Sequence, residues 1–347
     1  MERVYIVTGA NGHLGRNIVE RLLKAGQEVH ALILEGEQIP YFTNNYLLTV
    51  TKGDVCDIES MLPLFVNTQN KEIVIIHTAA IIDIRSKVSP LAYQVNVGGT
   101  KNMIQLALRY GVYRYIHVSS VHAIPEPKVN KLIRETKFFS PDKVHGGYAK
   151  TKAEATQAVI DAINNQGLPA IILHPSGIIG PDEAGTNNIV IAIKNFVQGR
   201  LHICPEGGYN FVDVRDIADA CLQAVDCGRV GESYILSGRY YRMKDIFEMA
   251  NTMTSDKHRF VCLPIWVLKM VAPLLEKWAE RMRQAPLITP YSLFALSSRA
   301  NFSHQKASCE LGFWPRDMYD TLKDTINAFT GRRKRLRTWR RKLSFSQ

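Results

Sequence analysis

At 347 residues, with 46% hydrophobic and 22% charged residues, the chain has an ordinary globular composition and enough length to bury a large core, which excludes disordered and fibrous classes. Eight of its eleven net positive charges lie between positions 332 and 342, so the body lacks the spread of basic charge expected of a nucleic-acid enzyme. Six cysteines (Cys56, Cys204, Cys221, Cys227, Cys262, Cys309) without Cys-x-x-Cys pairing argue against a zinc site and a disulfide scaffold.

No signal peptide is apparent at the N-terminus, and together with the cysteine usage this gives a cytoplasmic location as the expectation. The longest apolar region, residues 261–275, is broken by Pro264, Lys269 and Pro273 and is too short to span a bilayer.

Residues 3–7 read as a buried strand and lead directly into Thr8-Gly9-Ala10-Asn11-Gly12-His13-Leu14-Gly15. Leu14, Ile18 and Leu22 then recur at helical spacing. In this strand–turn–helix setting, Gly9 permits the turn, Gly12 lets backbone approach a pyrophosphate and Gly15 lets helix and strand pack closely. The helix N-terminus faces the phosphates with free N–H groups. The turn, including Asn11, His13 and Leu14, is therefore a candidate dinucleotide site.

A second strand over 27–34 carries no Arg or Lys near its end before Lys52, and Glu35 stands close by, which favours NAD over NADP. Strands follow over 47–51 and 72–76. The first closes on Gly53-Asp54-Val55-Cys56-Asp57, where Asp57 suits a helix cap and Asp54 sits where ligands gather. The second runs into His77-Thr78-Ala79-Ala80, where small Ala79 and Ala80 let a cofactor lie against backbone and His77 is read as structural.

A helix over 90–110 contains a polar Asn96 suited to bonding a neighbouring loop. A fifth strand over 113–118 ends in Ser119-Ser120, whose hydroxyls can donate to and accept from a substrate oxygen. A proline-marked loop over 121–144 precedes the Ala-rich helix that opens with Tyr148-x-x-x-Lys152. At i and i+4 a phenol and an ammonium share one helix face, and the cation is expected to lower the phenol pKa, as suits an acid/base for an alcohol oxygen. A sixth strand over 168–173 ends in His174-Pro175-Ser176-Gly177. This alternation predicts an α/β fold, a Rossmann-type doubly wound parallel sheet.

Together these motifs resemble the extended short-chain dehydrogenase/reductase family, also called the NAD-dependent epimerase/dehydratase family. The matches are Thr8 to Gly15, Gly53 to Asp57, His77 to Ala80, the Val-Asn-Val-x-Gly-Thr run at 95–100, Ser119-Ser120, Tyr148-x-x-x-Lys152, His174-Pro175 to Gly180-Pro181, and 212–216. The resemblance implies an NAD(P)-dependent oxidoreductase with Tyr148 as acid/base and Lys152 tuning it and holding the nicotinamide ribose. Ser120, with Ser119 as second choice, would bond the reacting oxygen, Asp54 and Val55 would flank the adenine, and Pro175 and Ile178 would border the nicotinamide. A homodimer is common in the family, and no metal site is expected.

Within the family, residues 263–266 and 272–275 look more like the dihydroflavonol reductase and 3β-hydroxysteroid dehydrogenase branch and would give an apolar wall for a hydrophobic substrate. A nucleotide-sugar epimerase or dehydratase with tightly bound NAD is the rival enzyme class, with Arg239, Arg242, Lys244, Arg281 and Arg283 as candidate diphosphate clamps. A cofactor-sensing protein without catalysis is the third.

The expected division is a core over 1–175 with 209–236 returning to it, and an α/β substrate lobe over 176–208 and 237–330. Residues 212–216 bring the chain back to the sheet, with Asp216 capping the next helix. The basic run over 332–342, within the expected tail 331–347, reads as a solvated extension or as a weak contact for an anionic membrane surface.

Overall fold

Strands whose residues are apolar without interruption must be covered on both faces, and this chain folds accordingly. The computed structural model describes residues 2–39, 45–85, 88–126, 131–181, 187–282, 288–298 and 301–330. The basic run over 332–342, Pro127 and Arg283 lie outside the described residues.

The first half alternates strand and helix: β1 (Arg3–Thr8), α1 (His13–Lys24), β2 (Glu28–Ile33), β3 (Leu48–Lys52), α2 (Ile58–Met61) and β4 (Glu72–His77). Then come α3 (Pro90–Tyr93), a π-turn (Gln94–Gly98), α4 (Gly99–Arg109), β5 (Arg114–Val118), β6 (Leu132–Ile133), α5 (Gly147–Gln166), β7 (Ala170–Pro175) and β8 (Gly177–Ile179). The second half holds α6 (Asn188–Val197), β9 (Ile203–Pro205), β10 (Gly208–Asp213), α7 (Val214–Cys227), β11 (Ser233–Leu236), β12 (Arg239–Arg242) and α8 (Met243–Thr252). It closes with β13 (Val261–Leu263), α9 (Ile265–Arg281), α10 (Pro290–Ser297), β14 (Asn301–Phe302), α11 (Gln305–Leu311) and helical residues 318–330.

The main sheet is seven-stranded and parallel, in the order β11-β7-β5-β4-β1-β2-β3. Leu14, Ile18 and Leu22 of α1 join Ile217, Cys221 and Ala224 of α7 on one face. Met103 and Leu106 of α4 join Val159 and Ala162 of α5 on the other. This is the expected Rossmann-type fold. The strand order reverses at β1 and β4, and that switch point opens a crevice beyond their carboxyl ends. Hydrogen bonds of the Thr8 and Thr78 side chains tie the two ends together.

Two expectations change. Residues 212–213 do not rejoin the main sheet: β10 pairs with β8 and antiparallel with β12 in a separate three-stranded sheet. β11 occupies the edge beside β7, and that is where the chain returns. Nor does Asp216 cap the helix after β10. Asp213, in extended backbone, accepts from the Arg215 N–H, while Asp216 holds the N–H of Arg316 at 2.8 Å and its guanidinium at 2.7 Å.

Among the described residues no helix is long and apolar enough to cross a membrane. None of their His, Cys, Asp and Glu form a group of three or more that could hold a metal, and all six cysteines are free.

The glycine turn is closely packed against the start of α1. A Cβ on Gly15 would lie 2.1 Å from the Gly9 carbonyl oxygen, which is backbone and cannot step aside. Gly15→Val should therefore push α1 off the turn, cost about 1–3 kcal/mol in urea unfolding and weaken NAD binding in a fluorescence titration. Unchanged stability and affinity would contradict this packing.

Candidate active site

At the switch point Gly9 has φ +65°, and a Cβ there would meet the Ala79 backbone at 2.9 Å. The turn and the Thr78–Ala80 segment thus approach at backbone distance, as expected for the floor of a cofactor site. Helix α1 begins after Gly12 without a side-chain cap and with no acidic residue in its first turn. Its N–H groups and positive dipole end are available to a diphosphate.

The His13 ring reaches the Pro181 carbonyl at 3.1 Å and the Asn187 side chain at 3.1 Å, and Asn187 donates to the Ile178 carbonyl at 2.8 Å. These bonds link the glycine turn to the 177–181 segment, so His13 and Ile178 stand on facing walls of one crevice. Pro175 ends β7 below them, buried. Asn187 carried no signal in the sequence, because its partners are remote in the chain.

Asp54 accepts from the Cys56 N–H at 2.9 Å in a local turn, and Val55 packs its side chain against Gly99. Asp57 caps α2 as expected. Glu35 and Lys52 stand together at the ends of β2 and β3, 3.5 Å apart and exposed. His77 is structural: its ring bonds Thr8 at 2.8 Å and Thr100 at 3.2 Å. Burial, reinforced by the Lys152 charge, lowers its pKa to about 3, so it is neutral.

The chemistry-bearing residues converge between β5 and α5. Ser120 follows β5, accepts from the His122 N–H at 3.2 Å and hydrogen-bonds the Tyr148 phenol. Ser119 is committed elsewhere, to the buried Thr156 hydroxyl at 2.6 Å. Lys152 lies one helical turn after Tyr148 and is buried, its ammonium donating to the Val118 carbonyl at 2.8 Å. Among the described residues that is its hydrogen bond. An ammonium has two further donors, which suits a pair of ribose hydroxyls. The glycine cradle and these donors fit a nicotinamide dinucleotide.

The Tyr148 phenol pKa is raised, where the helical spacing with Lys152 suggested a lowered one. Burial pushes the phenol up to about 12, and the Ser120 hydrogen bond only partly opposes this. Burial also lowers Lys152 to about 8. Desolvation is the leading cause of both shifts in so enclosed a pocket.

An aromatic wall stands beside Tyr148. The His122 ring lies edge-on to it, centroids 6.2 Å apart, stacks on Tyr209 at 5.5 Å and accepts or shares the Tyr209 hydroxyl at 2.9 Å. Burial lowers His122 to about 4, so the ring is neutral. Tyr291 of α10 lies 5.7 Å from His122, and its buried hydroxyl has no protein partner among the described residues. Gly146 makes room for it: φ is +93° there, and a Cβ would fall 2.2 Å from the Tyr291 ring. Sequence reasoning missed Tyr209 and Tyr291.

Asn96 sits on the π-turn, the kind of helical irregularity that recurs at functional sites. Its carboxamide accepts from the Ile81 N–H at 2.8 Å and donates to the Ile81 carbonyl and the Thr151 hydroxyl, each at 3.0 Å. It therefore fastens the loop after β4 to α5. Asn96→Ala should leave these buried groups unpaired and cost about 1–3 kcal/mol in urea unfolding. A loss below measurement error would show that the clamp is dispensable.

Comparison with known proteins agrees with this geometry. The NAD dependent epimerase/dehydratase family model matches residues 5–237. Sterol demethylase protein B of Methylococcus capsulatus is 28% identical, over 94% of this chain and 98% of its own. Human 3 beta-hydroxysteroid dehydrogenase type 7 is 27% identical, over 90% of this chain and 91% of its own. A crystal structure of the UDP-glucose 4-epimerase of Thermotoga maritima, 21% identical, matches with TM-score 0.75 over 96% of this chain and 99% of that one, a likeness of fold. With the glycine cradle, the switch-point crevice and the family match in hand, the chain belongs to the NAD-dependent epimerase/dehydratase family, whose cofactor is NAD.

Proposed function

We propose that the chain is an oxidoreductase that transfers hydride between NAD and a secondary alcohol or ketone on a hydrophobic, ring-built substrate. One observation carries the reading: Ser120, Tyr148 and Lys152 stand together beside an aromatic wall of His122, Tyr209 and Tyr291. Flat rings pack well on such a wall. The named activities of the sterol-related relatives support the same substrate class. So does the engagement of Arg242 with Asp245 and of Lys244 with Glu248, which turns two candidate diphosphate clamps to partners on α8.

NAD, when bound, supplies the hydride acceptor at the nicotinamide. Ser120, polarised by the His122 N–H, orients the reacting oxygen. Tyr148 takes the hydroxyl proton on oxidation and returns it on reduction. Lys152, anchored on Val118, holds α5 in place and offers its remaining donors to the ribose. Pro175, Ile178 and Ala79–Ala80 would line the nicotinamide end, and Asp54 and Val55 the adenine end. Retention of all three polar residues is the argument against a sensor without catalysis.

Tyr148→Phe should cut turnover by roughly three to four orders of magnitude while leaving NADH affinity within about threefold. Ser120→Ala should lose roughly a hundredfold and Ser119→Ala should leave turnover near wild type. Stopped assays on a panel of steroids, aryl ketones and nucleotide sugars test both. Turnover retained in Tyr148→Phe refutes the role. Tightly held NAD that is never consumed, with activity on nucleotide sugars alone, would instead assign an epimerase or dehydratase.

The raised phenol pKa adds a pH test. Below about 12 the protonated form dominates, so the acid needed for reduction is present at neutral pH and the base needed for oxidation grows as pH rises. kcat/KM for oxidation should climb from pH 7 to 10 while that for reduction is level at neutral pH and falls with a midpoint near pH 8 as Lys152 loses its proton. Initial rates in both directions check this, and a level oxidation profile contradicts it.

A further inference from the structure

Helix α9 is amphipathic in the wrong sense for a helix that serves only the core. Leu268 and Ala272 point inward and meet Leu293 of α10. The opposite face carries larger apolar side chains: Trp266, Met270, Leu274 and Trp278, spaced four apart, are 67%, 71%, 69% and 59% exposed, with Val271 and Leu275 beside them. Four large side chains more than half exposed on one stripe form a contiguous patch, not scattered surface residues. The sequence reading placed residues 263–266 and 272–275 on a substrate wall, but Trp266, Leu274 and Leu275 face away from the protein.

The charges on this helix limit what can cover the patch. Lys269, Lys277 and Arg281 are exposed among the apolar residues, whereas Glu276 is buried. A second copy of the chain docked through the same face would bring these cations against their own counterparts. The basic run over 332–342 would be repelled for the same reason. An anionic lipid surface satisfies both sets of groups at once. Apolar side chains enter the acyl boundary, lysines and arginine meet headgroup phosphates, and a tryptophan at each end of the stripe takes the interfacial position that indoles prefer. The 17-residue helix, roughly 25 Å long, can lie in that plane but does not meet the requirements for crossing.

We propose that α9 is a membrane-docking helix that seats the protein on anionic bilayers by its Trp266–Trp278 face. The docking does not depend on the activity proposed above. If that activity holds, the arrangement has a use: α9 rests on α10, and α10 carries Tyr291 of the site wall, so a lipid-dissolved substrate would be taken up close to its source.

The test is vesicle sedimentation of the full chain with phosphatidylcholine alone and with about 30% phosphatidylserine. Wild type should pellet with the anionic vesicles. Trp266→Gln/Met270→Gln/Leu274→Gln/Trp278→Gln should lower the partition coefficient at least about tenfold, with an unchanged urea midpoint because these side chains face outward. Lys269→Gln/Lys277→Gln/Arg281→Gln should remove most of the preference for phosphatidylserine. The proposal is overturned if wild type stays in the supernatant, or if the apolar variant pellets as well as wild type, which would leave the binding to residues 332–342. It is also overturned if wild type sediments as a dimer that the apolar variant dissociates, which would make a second copy the occupant.

Discussion

The Lys152 ammonium, buried and bonded to the Val118 carbonyl at 2.8 Å, is the contact on which the site depends. Burying a cation is costly unless it is hydrogen-bonded, so this bond is made wherever the helix docks correctly. It fixes α5 against the carboxyl end of β5, next to the central strand β4. Tyr148 is one turn earlier on the helix and Ser120 two residues beyond Val118 in the chain. A single anchor therefore determines how phenol and hydroxyl meet. Asn96 braces the same helix from the other side through Thr151, and Ser119 does so through Thr156. Three polar contacts, at Thr151, Lys152 and Thr156, leave α5 little freedom to slide.

The sheet supplies the second half of the arrangement. Parallel strands place all their carboxyl ends at one edge, so the glycine turn after β1, the alanines after β4, Ser120 after β5 and Pro175 at the end of β7 arrive there together. The reversal between β1 and β4 parts the helices above that edge. His13 and Asn187 then join the two walls across the opening. A long cofactor is thus accommodated by strand order and not by any one motif.

The features legible in the sequence were those governed by local rules. Buried strands, helical spacing and the glycine turn each express a constraint within about ten residues, and Gly15 shows why: its missing Cβ is required by backbone six residues away. What escaped was settled by distant partners. Phe211 and Val212 have the apolar character of a main-sheet strand, yet the free edge went to β11, and their strand β10 pairs with β8 and β12 instead. Asp213 and Asp216 both stand near a helix start. The extended backbone of Asp213 decided the cap, and Arg316, a hundred residues on, claimed the other. Tyr209 and Tyr291 reach the site from separate elements and announce themselves by no spacing. The i and i+4 pairing of Tyr148 with Lys152 was correct as geometry, but the pKa it suggested depended on burial, which no local pattern contains.

Helix α9 shows the same limit from the opposite side. Its sequence holds two stripes, one of Leu268 and Ala272, the other of Trp266, Met270, Leu274 and Trp278, and periodicity alone would bury the larger one. The fold buries the smaller, because α10 offers only the narrow seat around Leu293. Glu276 is drawn inward with that stripe, and the exposed charge left among the described side chains of α9 is basic. An apolar face kept outward by a tight inner contact, with Lys269, Lys277 and Arg281 exposed among its described side chains, is shaped for a surface that is itself apolar within and anionic at its margin. Among the surroundings open to a protein of this kind, a lipid bilayer has both properties.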